Sequence, residues 1–252
     1  WGREIPLTEH PNIRSAESCY RSTQIAMSLA RQFQAPLHVL HLSTGREMEL
    51  FEPGPMNDKL ITAEVCVHFL HFDASHYPTH GNRIKCNPAI KTPADRAALL
   101  QALKDGRLDI IATDHAPHTA EEKAATDYRK APSGLPLVQD ALLSVLELHH
   151  DGEIGLEHIV RLTAHNVADR FGVVDRGYLR EGYWADLVLV DTATPTPATA
   201  DRVLSQCGWT PFEGETFRSS IARTIVNGQT VFDGQAIVEA DAAMRLEIGV
   251  QR

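Results

Sequence analysis

Short apolar runs alternate with helix patterns along the first part of the chain. The runs comprise residues 37–42, 60–67 and 108–113, and each is mostly Leu, Ile, Val and Ala. Runs of this length are typical of strands buried on both faces, as parallel sheets require. Because strands that alternate with helices build parallel α/β folds, the pattern predicts that fold class.

Helix patterns carry recognisable start and stop signals. Four helices are predicted, at residues 15–33, 92–104, 136–149 and 155–171. Ser15 is the expected N-cap of the first helix, and Thr92 caps the second with Pro93 at its first helical position. The first helix carries an apolar stripe at helical spacing, formed by Ile25, Ala26, Leu29, Ala30 and Phe33.

Strand patterns follow one another without helices after about residue 178. Residues 185–191 alternate like a strand, and residues 221–226 and 229–232 flank Asn227-Gly228. Asn-Gly is a strong two-residue hairpin signal because both turn positions require positive φ. The tail is therefore expected to be mostly antiparallel.

This change of pattern predicts two domains. The first covers residues 1–177, and the second is a β-rich module at residues 178–252. Residues 192–200 contain only Thr, Ala and Pro, and we expect a loop there within the β-rich module.

Composition excludes several classes of protein. The 252 residues include 24 Lys and Arg against 33 Asp and Glu, and the net charge of −9 disfavours a nucleic-acid binder. A hydrophobic fraction of 43% excludes a disordered chain, and no apolar run approaches the ~18 residues of a membrane span. Four widely spaced cysteines fit reduced thiols in a cytoplasmic protein better than a zinc ribbon or a disulfide framework.

Polar side chains stand at the ends of two predicted strands. His41 closes the first, and Asp114 follows the third within Asp-His-Ala-Pro-His. In parallel α/β barrels, side chains at the carboxyl ends of strands converge on the active site. Imidazole and carboxylate are ligands of Zn²⁺ and similar ions. The alternatives are a hydrogen-bonded core histidine at position 41 and a helix cap at position 114.

Other candidates in the sequence are weaker. Asn87 precedes a proline, and an ordinary turn residue is the alternative reading. His10 has no recognisable partner. Four histidines without repeated spacing are expected on the surface or in loops: His68, His71, His76 and His80.

These residues resemble the motifs of dihydroorotase, a cyclic-amide hydrolase of the amidohydrolase superfamily. The similar stretches occur in the family's order and cover nearly the whole chain: residues 37–44, 62–65, 85–91, 111–118, 121–123, 131–134 and 182–187. Ala-Thr-Asp-His-Ala-Pro-His is the most specific of them, whereas Ala-Asp-Leu is shared by many amidohydrolases.

The resemblance implies a role for each matched residue. His41 would be a metal ligand. Asp114 would be a metal ligand and the general base, which activates hydroxide and then protonates the leaving amide nitrogen. The substrate would be held by Asn87, His118, Ser133 and Gly134. The implied reaction is the reversible interconversion of N-carbamoyl-L-aspartate and L-dihydroorotate in pyrimidine biosynthesis.

The resemblance also implies parts that lie outside this sequence. The family has an H-x-H pair on its first barrel strand, a lysine that bridges two metals and a further histidine upstream. Two zinc ions are therefore implied per complete active site, with the remaining ligands upstream of Trp1, where the sequence begins without Met.

Three convincing barrel strands are fewer than the eight that close a barrel of ~250 residues. We therefore expect the C-terminal part of a TIM-like (β/α)8 metal-dependent hydrolase barrel, plus part of a small β-sandwich domain. The N-terminal part of the same protein would complete both, and we expect the 252-residue chain by itself to be inactive.

Two other functions stay open at this point. One is an allantoinase- or hydantoinase-type cyclic amidohydrolase, and the other is a non-catalytic dihydroorotase-like partner of aspartate transcarbamoylase. The expected ligand in the enzymatic cases is a small molecule, with no nucleic acid or membrane partner. A homodimer and a cytoplasmic location are what the family suggests.

Overall fold

The computed structural model describes residues 4–249, so that Trp1 lies outside the described part. The chain forms two compact units. One runs up to Ala141 and includes Ala198–Gly214, and the other comprises Leu142–Pro197 and the residues from Glu215 onward. The boundary expected between residues 177 and 178 stays a prediction. None of the helices in residues 4–249 combines the length and the apolarity that a bilayer crossing requires.

A parallel sheet of three strands organises the first unit. Its strands are β1 (Leu37–Val39), β2 (Ile61–Cys66) and β3 (Ile110–Ala112), in the order β1-β2-β3. The central strand β2 is almost wholly buried, and Ala63 and Val65 have no exposed surface. The parallel α/β prediction is therefore confirmed. β1 and β3 are shorter than their apolar runs and end before His41 and Asp114.

Helices flank these strands in the chain. The α-helices of this unit are α1 (His10–Ile13), α2 (Ala16–Phe33), α3 (Val67–His71), α4 (Tyr77–His80), α5 (Pro93–Lys104) and α6 (Ala120–Lys123). Short 3₁₀ helices lie at Leu7–Glu9, Arg46–Leu50, Met56–Asp58, Ala74–His76, Gly81–Ile84 and Ala200–Arg202.

Both predicted N-caps are confirmed. The Ser15 hydroxyl accepts from the Ser18 N–H, and Thr92 forms a capping box with Asp95. These bonds satisfy backbone donors that have no partner within the helix.

The apolar stripe expected on α2 is wrong in part. Its buried face is formed by Thr23, Met27 and Ala30, whereas Ile25, Leu29 and Phe33 are exposed. Spacing alone predicted a helix correctly but selected a face that is offset from the one that packs.

Helices begin the second unit. They are α7 (Ala141–His150), α8 (Leu156–Val160) and α9 (Asn166–Phe171), with a π-helical turn at Arg161–His165 between the last two. The predicted helix over 155–171 is thus interrupted by one wide turn, and Gly172 ends it with a φ of 64°. The helix expected from residue 136 starts later, at Ala141, and the Leu137 N–H in the preceding segment is bound to the His115 ring.

Antiparallel strands complete the second unit. They are β4 (Leu187–Asp191), β5 (Thr196–Pro197), β6 (Thr216–Phe217), β7 (Ser220–Val226) and β8 (Gln229–Phe232). One sheet has the order β4-β7-β8, and β5 pairs with β6. The hairpin is confirmed, with φ of 50° at Asn227 and 80° at Gly228. The loop expected at 192–200 is wrong in part, because β5 lies within it.

Candidate active site

His41 lies in a tight turn two residues beyond β1. Its φ is 43°, in the left-handed region that side chains disfavour. The Glu64 side chain on β2 accepts from the His41 N–H at 3.4 Å, and the Glu64 carbonyl accepts from the Leu42 N–H at 3.0 Å. The neighbouring strand therefore holds the turn that carries the His41 imidazole, which is half-buried.

Asp114 occupies the equivalent place after β3. Its φ is 49°, and the residue is exposed. The chain around it is fixed by two bonds: the His115 N–H donates to Thr113 Oγ1 at 3.2 Å, and the Ala116 N–H donates to the Leu135 carbonyl at 2.9 Å. The carboxylate is thus free of the helix-cap role that the sequence left open, because the next helix is capped by Thr119.

His41 and Asp114 follow the carboxyl ends of strands on either side of β2. Neighbouring strands lie ~4.8 Å apart, so that the two residues belong to one edge of the same sheet. Imidazole and carboxylate suit Zn²⁺ by donor type. Within residues 4–249, however, no three His, Cys, Asp or Glu side chains come together as a group that could hold a metal ion. These two residues therefore fit such an ion as a partial donor set.

Gly134 packs against the loop that follows Asp114. A Cβ atom at this position would lie 2.5 Å from the Ala116 carbonyl oxygen and 3.2 Å from His118 Cδ2, and its φ is +147°. Only glycine fits this close approach without displacing the backbone. The contact brings Gly134 and its neighbour Ser133 beside His118.

The loop that carries Asn87 also contacts Gly134. The Gly134 N–H donates to the Lys85 carbonyl at 2.9 Å, two residues before Asn87. Asn87 itself is exposed. The structure thus brings together the loops of all four residues that the sequence assigned to the substrate.

His118 is held mainly through its backbone. Its carbonyl accepts from the Trp209 indole N–H at 2.7 Å, and Trp209 is fully buried. Its ring is half-buried, with Nδ1 3.7 Å from a carboxylate oxygen of Glu122 in the following helix α6. The ring therefore remains partly accessible.

His115 has a structural task in spite of its place in the motif. Its Nδ1 accepts from the Leu137 N–H at 2.9 Å and from the Val138 N–H at 3.1 Å. Because Nδ1 accepts, the ring is the neutral tautomer that carries its proton on Nε2. The motif's second histidine, His118, is thus the better candidate for a substrate contact.

His68 is the residue that sequence reasoning placed wrongly. It was expected on the surface or in a loop, but it lies in α3 directly after β2 and has no exposed surface. Neither ring nitrogen finds a hydrogen-bond partner in the part of the chain that the structure describes. Burial, with a smaller contribution from the neighbouring His41, lowers the pKa of His68 to about 3.

His10 has two partners that lie far away in sequence. Its Nδ1 is 2.7 Å from the Tyr128 hydroxyl, and its Nε2 is 2.7 Å from the Cys86 carbonyl. Since a carbonyl only accepts, Nε2 carries the proton and Nδ1 accepts from Tyr128. Burial lowers the pKa of His10 to about 4. The residue ties α1 to the chain just before Asn87, which no local pattern could indicate.

The cysteines are free thiols, as expected. Cys66 and Cys86 are buried, and Cys19 and Cys207 are half-buried. Burial raises the pKa of the Cys86 thiol to about 12 and that of Cys66 well above its usual range. Both are therefore protonated and unreactive at neutral pH.

Known proteins resemble the chain in both sequence and fold. The amidohydrolase family profile matches residues 39–231. A dihydroorotase from Halobacterium salinarum is 37% identical over 90% of the chain and 52% of its own length. An allantoinase from Bacillus velezensis is 30% identical over 91% of the chain and 50% of its own length. The chain spans about half the length of the curated relatives it matches.

Solved structures agree on the fold. A D-hydantoinase from a Bacillus species superimposes with a TM-score of 0.85 over 94% of the chain and 54% of its own length, at 23% identity. An L-hydantoinase from Arthrobacter aurescens gives a TM-score of 0.81 over 87% of the chain and 50% of its own length, at 24% identity. The similarity to dihydroorotase that the motifs indicated is confirmed, and the chain belongs to the amidohydrolase family.

Proposed function

We propose that the protein carrying this chain is a dihydroorotase, which interconverts N-carbamoyl-L-aspartate and L-dihydroorotate in pyrimidine biosynthesis. One observation carries the proposal: Gly134 bridges the Asn87 loop and the loop that joins Asp114 to His118. All the loops matched to substrate-binding segments therefore meet at one place. The similarity to dihydroorotases at 33–37% identity supports the same reading.

Asp114 would move the proton in this reaction. In the hydrolytic direction the carboxylate takes a proton from water, whose oxygen bonds to the amide carbon. The ring C–N bond then breaks, and Asp114 delivers the proton to the departing nitrogen. Its exposed position beside the loop cluster leaves room for a substrate.

The loops would hold the ring and its polar groups. Asn87 can donate and accept through its amide, and His118 presents an accessible ring edge. The backbone at Ser133 and Gly134 would offer hydrogen bonds to the ring amide. Because the Gly134 N–H is already bound to Lys85, the N–H of Ser133 is the better backbone donor toward substrate.

In this proposal, His41 and Asp114 are the residues of this chain that would hold zinc. We propose two zinc ions per complete active site. When bound, zinc would polarise the amide carbonyl and lower the pKa of a water molecule. The finer assignments belong to the same proposal: part of a (β/α)8 barrel in the first unit, part of a β-sandwich in the second, a homodimer and a cytoplasmic location.

Substrate assays of the complete natural protein, loaded with zinc, test the proposal. Turnover of dihydroorotate in excess over allantoin and hydantoin is expected. Turnover of allantoin without dihydroorotate would favour the second candidate, which the allantoinase at 30% identity supports. No turnover of any cyclic amide would favour a non-catalytic partner of aspartate transcarbamoylase. We also propose that the 252-residue chain alone is inactive, and robust turnover by it would refute that part.

A further inference from the structure

Lys123 is a buried cation. Within the described residues, every hydrogen-bond acceptor of its ammonium group is a backbone carbonyl oxygen. It is the last residue of α6, and its side chain is 3% exposed. The ammonium donates to the carbonyls of Lys85 at 3.0 Å, Pro132 at 3.1 Å and Gly134 at 2.9 Å. An ammonium group has three N–H donors, so that this arrangement uses all of them.

The three acceptors belong to the two loops that the proposed function assigns to substrate. Pro132 and Gly134 flank Ser133, and Lys85 precedes Asn87 by two residues. The Lys85 carbonyl also accepts from the Gly134 N–H at 2.9 Å. Lys123 therefore joins the two loops at the point where they already touch.

The bond to Pro132 also sets a direction. In a trans peptide the carbonyl of one residue and the N–H of the next point in opposite directions. Only Asn87-Pro88 is cis in the described chain, so the Pro132–Ser133 peptide is trans. Because the Pro132 carbonyl points at Lys123, the Ser133 N–H points away from it.

A second lysine fixes the approach to this loop. Lys85 donates through Nζ to the carbonyls of Tyr128 at 2.5 Å and Ala131 at 2.6 Å. Its ammonium also lies 4.1 Å from the centre of the Tyr128 ring. Lys85 therefore holds residues 128 and 131, and among the next three residues Lys123 holds the carbonyls of Pro132 and Gly134.

We propose that Lys123 is a positioning residue that orients the Ser133 N–H toward a cyclic-amide substrate. The inference rests on the proposed function, because the substrate is the cyclic amide named there. Lys123 does not touch the substrate in this proposal. Removing it is therefore expected to raise KM and to leave kcat nearly unchanged.

The surroundings of Lys123 make the proposal testable by pH. Burial is the main cause that lowers the pKa of Lys123 to about 8; Cys86 opposes this shift and Lys85 adds to it, both by smaller amounts. The Trp209 ring, 5.9 Å away, is the aromatic group that faces the ammonium. Above this pKa the neutral amine keeps two N–H donors, so that one of the three carbonyls loses its partner.

Kinetics of the complete, zinc-loaded protein test the inference with Lys123→Met and Lys123→Arg. The methionine variant is expected to raise KM for dihydroorotate about tenfold with kcat within about threefold, since charged hydrogen bonds are lost. Wild-type KM is expected to rise above pH 8, and the arginine variant, which stays charged, is expected to lose that rise. Lys130→Met, an exposed lysine in the same segment, is the matched control and should change neither constant. An unchanged KM in folded Lys123→Met overturns the inference.

Hydrogen exchange separates this inference from the proposed function. The Gly134 amide hydrogen is expected to exchange about tenfold faster in Lys123→Met than in the wild type. In the wild type, after correction for the intrinsic exchange rates, it is expected to exchange about tenfold faster at pH 9 than at pH 7. This readout needs no turnover, and the wild-type pH series needs no variant to fold. If dihydroorotate is not turned over but exchange accelerates, the proposed function fails and the loop assignment of Lys123 stands. Unchanged exchange overturns it in either case.

Discussion

His41 and Asp114 share a left-handed backbone conformation, with φ of 43° and 49°, at equivalent places beyond strands on either side of β2. A residue with a side chain adopts this conformation at a cost of ~1–3 kcal/mol, and the surrounding structure must enforce it. At His41 the bond to Glu64 holds this conformation. Beside Asp114 the bond from the Ala116 N–H to the Leu135 carbonyl holds the backbone that follows it. Such strain concentrates at functional sites, which agrees with the proposed roles of both residues.

Replacing Asp114 by Asn is expected to remove most of the turnover of the complete enzyme and to leave it folded. The carboxamide cannot accept the proton, but Asn tolerates the left-handed conformation better than most residues. Steady-state kinetics and circular dichroism measure the two effects. Asp201→Asn, at an exposed carboxylate, serves as the control. A kcat close to that of the wild type would contradict the assignment of Asp114 as base.

Gly134→Ala is expected to lower stability more than Gly54→Ala. Both glycines have similar φ, +147° and +135°, but a Cβ at Gly54 meets nothing within 4 Å whereas one at Gly134 meets the Ala116 carbonyl at 2.5 Å. The shared φ penalty is about 1 kcal/mol, and only the first variant adds a backbone clash. Urea unfolding measures the difference, and KM for dihydroorotate should rise only for Gly134→Ala. Equal losses of stability would show that the Gly134 loop moves aside freely.

Acid is expected to destabilise the protein partly through His10. Because burial lowers its pKa from 6.5 to about 4, the unfolded chain binds a proton in this range that the folded protein does not. The contribution of His10 to the free energy of unfolding, about 3 kcal/mol, is therefore fully present above pH 6.5 and is lost as the pH falls toward 4. His10→Gln keeps a donor and an acceptor without titrating, so its free energy of unfolding should decline less between pH 7 and 4.5. Parallel declines in both proteins would argue against a neutral buried His10.

His68→Leu is expected to leave the free energy of unfolding of the metal-free protein unchanged or raised. The imidazole is fully buried and neither nitrogen has a partner within the described residues, so the substitution breaks no hydrogen bond there and removes a desolvated polar group. Thermal unfolding checks this, with His10→Leu as the contrast, because that change leaves the Cys86 carbonyl without its donor. A large loss in His68→Leu would show that the ring has a partner such as a bound water molecule.

Local signals in the sequence predicted the elements well. Ser15 and Thr92 cap helices as their side-chain chemistry indicates, and Asn227-Gly228 forms the hairpin turn. Each of these features depends on residues a few positions apart. The alternation of strand and helix patterns is also read along neighbouring stretches of the chain, and it predicted a parallel sheet without the strand order.

The contacts that build the site depend on residues far apart in sequence. His10 binds Cys86 and Tyr128, which lie 76 and 118 positions away. Lys123 was visible in the sequence only as part of a motif, and its three acceptors could not be deduced from spacing. His68 was predicted wrongly for a related reason. Its position in the sequence has no helical or strand periodicity, so this polar residue was expected outside the core, where the structure does not place it.

Glu64 has a wider consequence than its single bond to the His41 turn. One of its carboxylate oxygens lies 3.1 Å from His38 Nε2 within β1, and the other accepts from the His41 N–H. The backbone that carries the His41 imidazole is thus held by a residue of the neighbouring strand, 23 positions away in sequence. Substitutions at positions 38, 41 and 64 are therefore expected to be strongly non-additive, so that a change tolerated at one position depends on the residues at the other two.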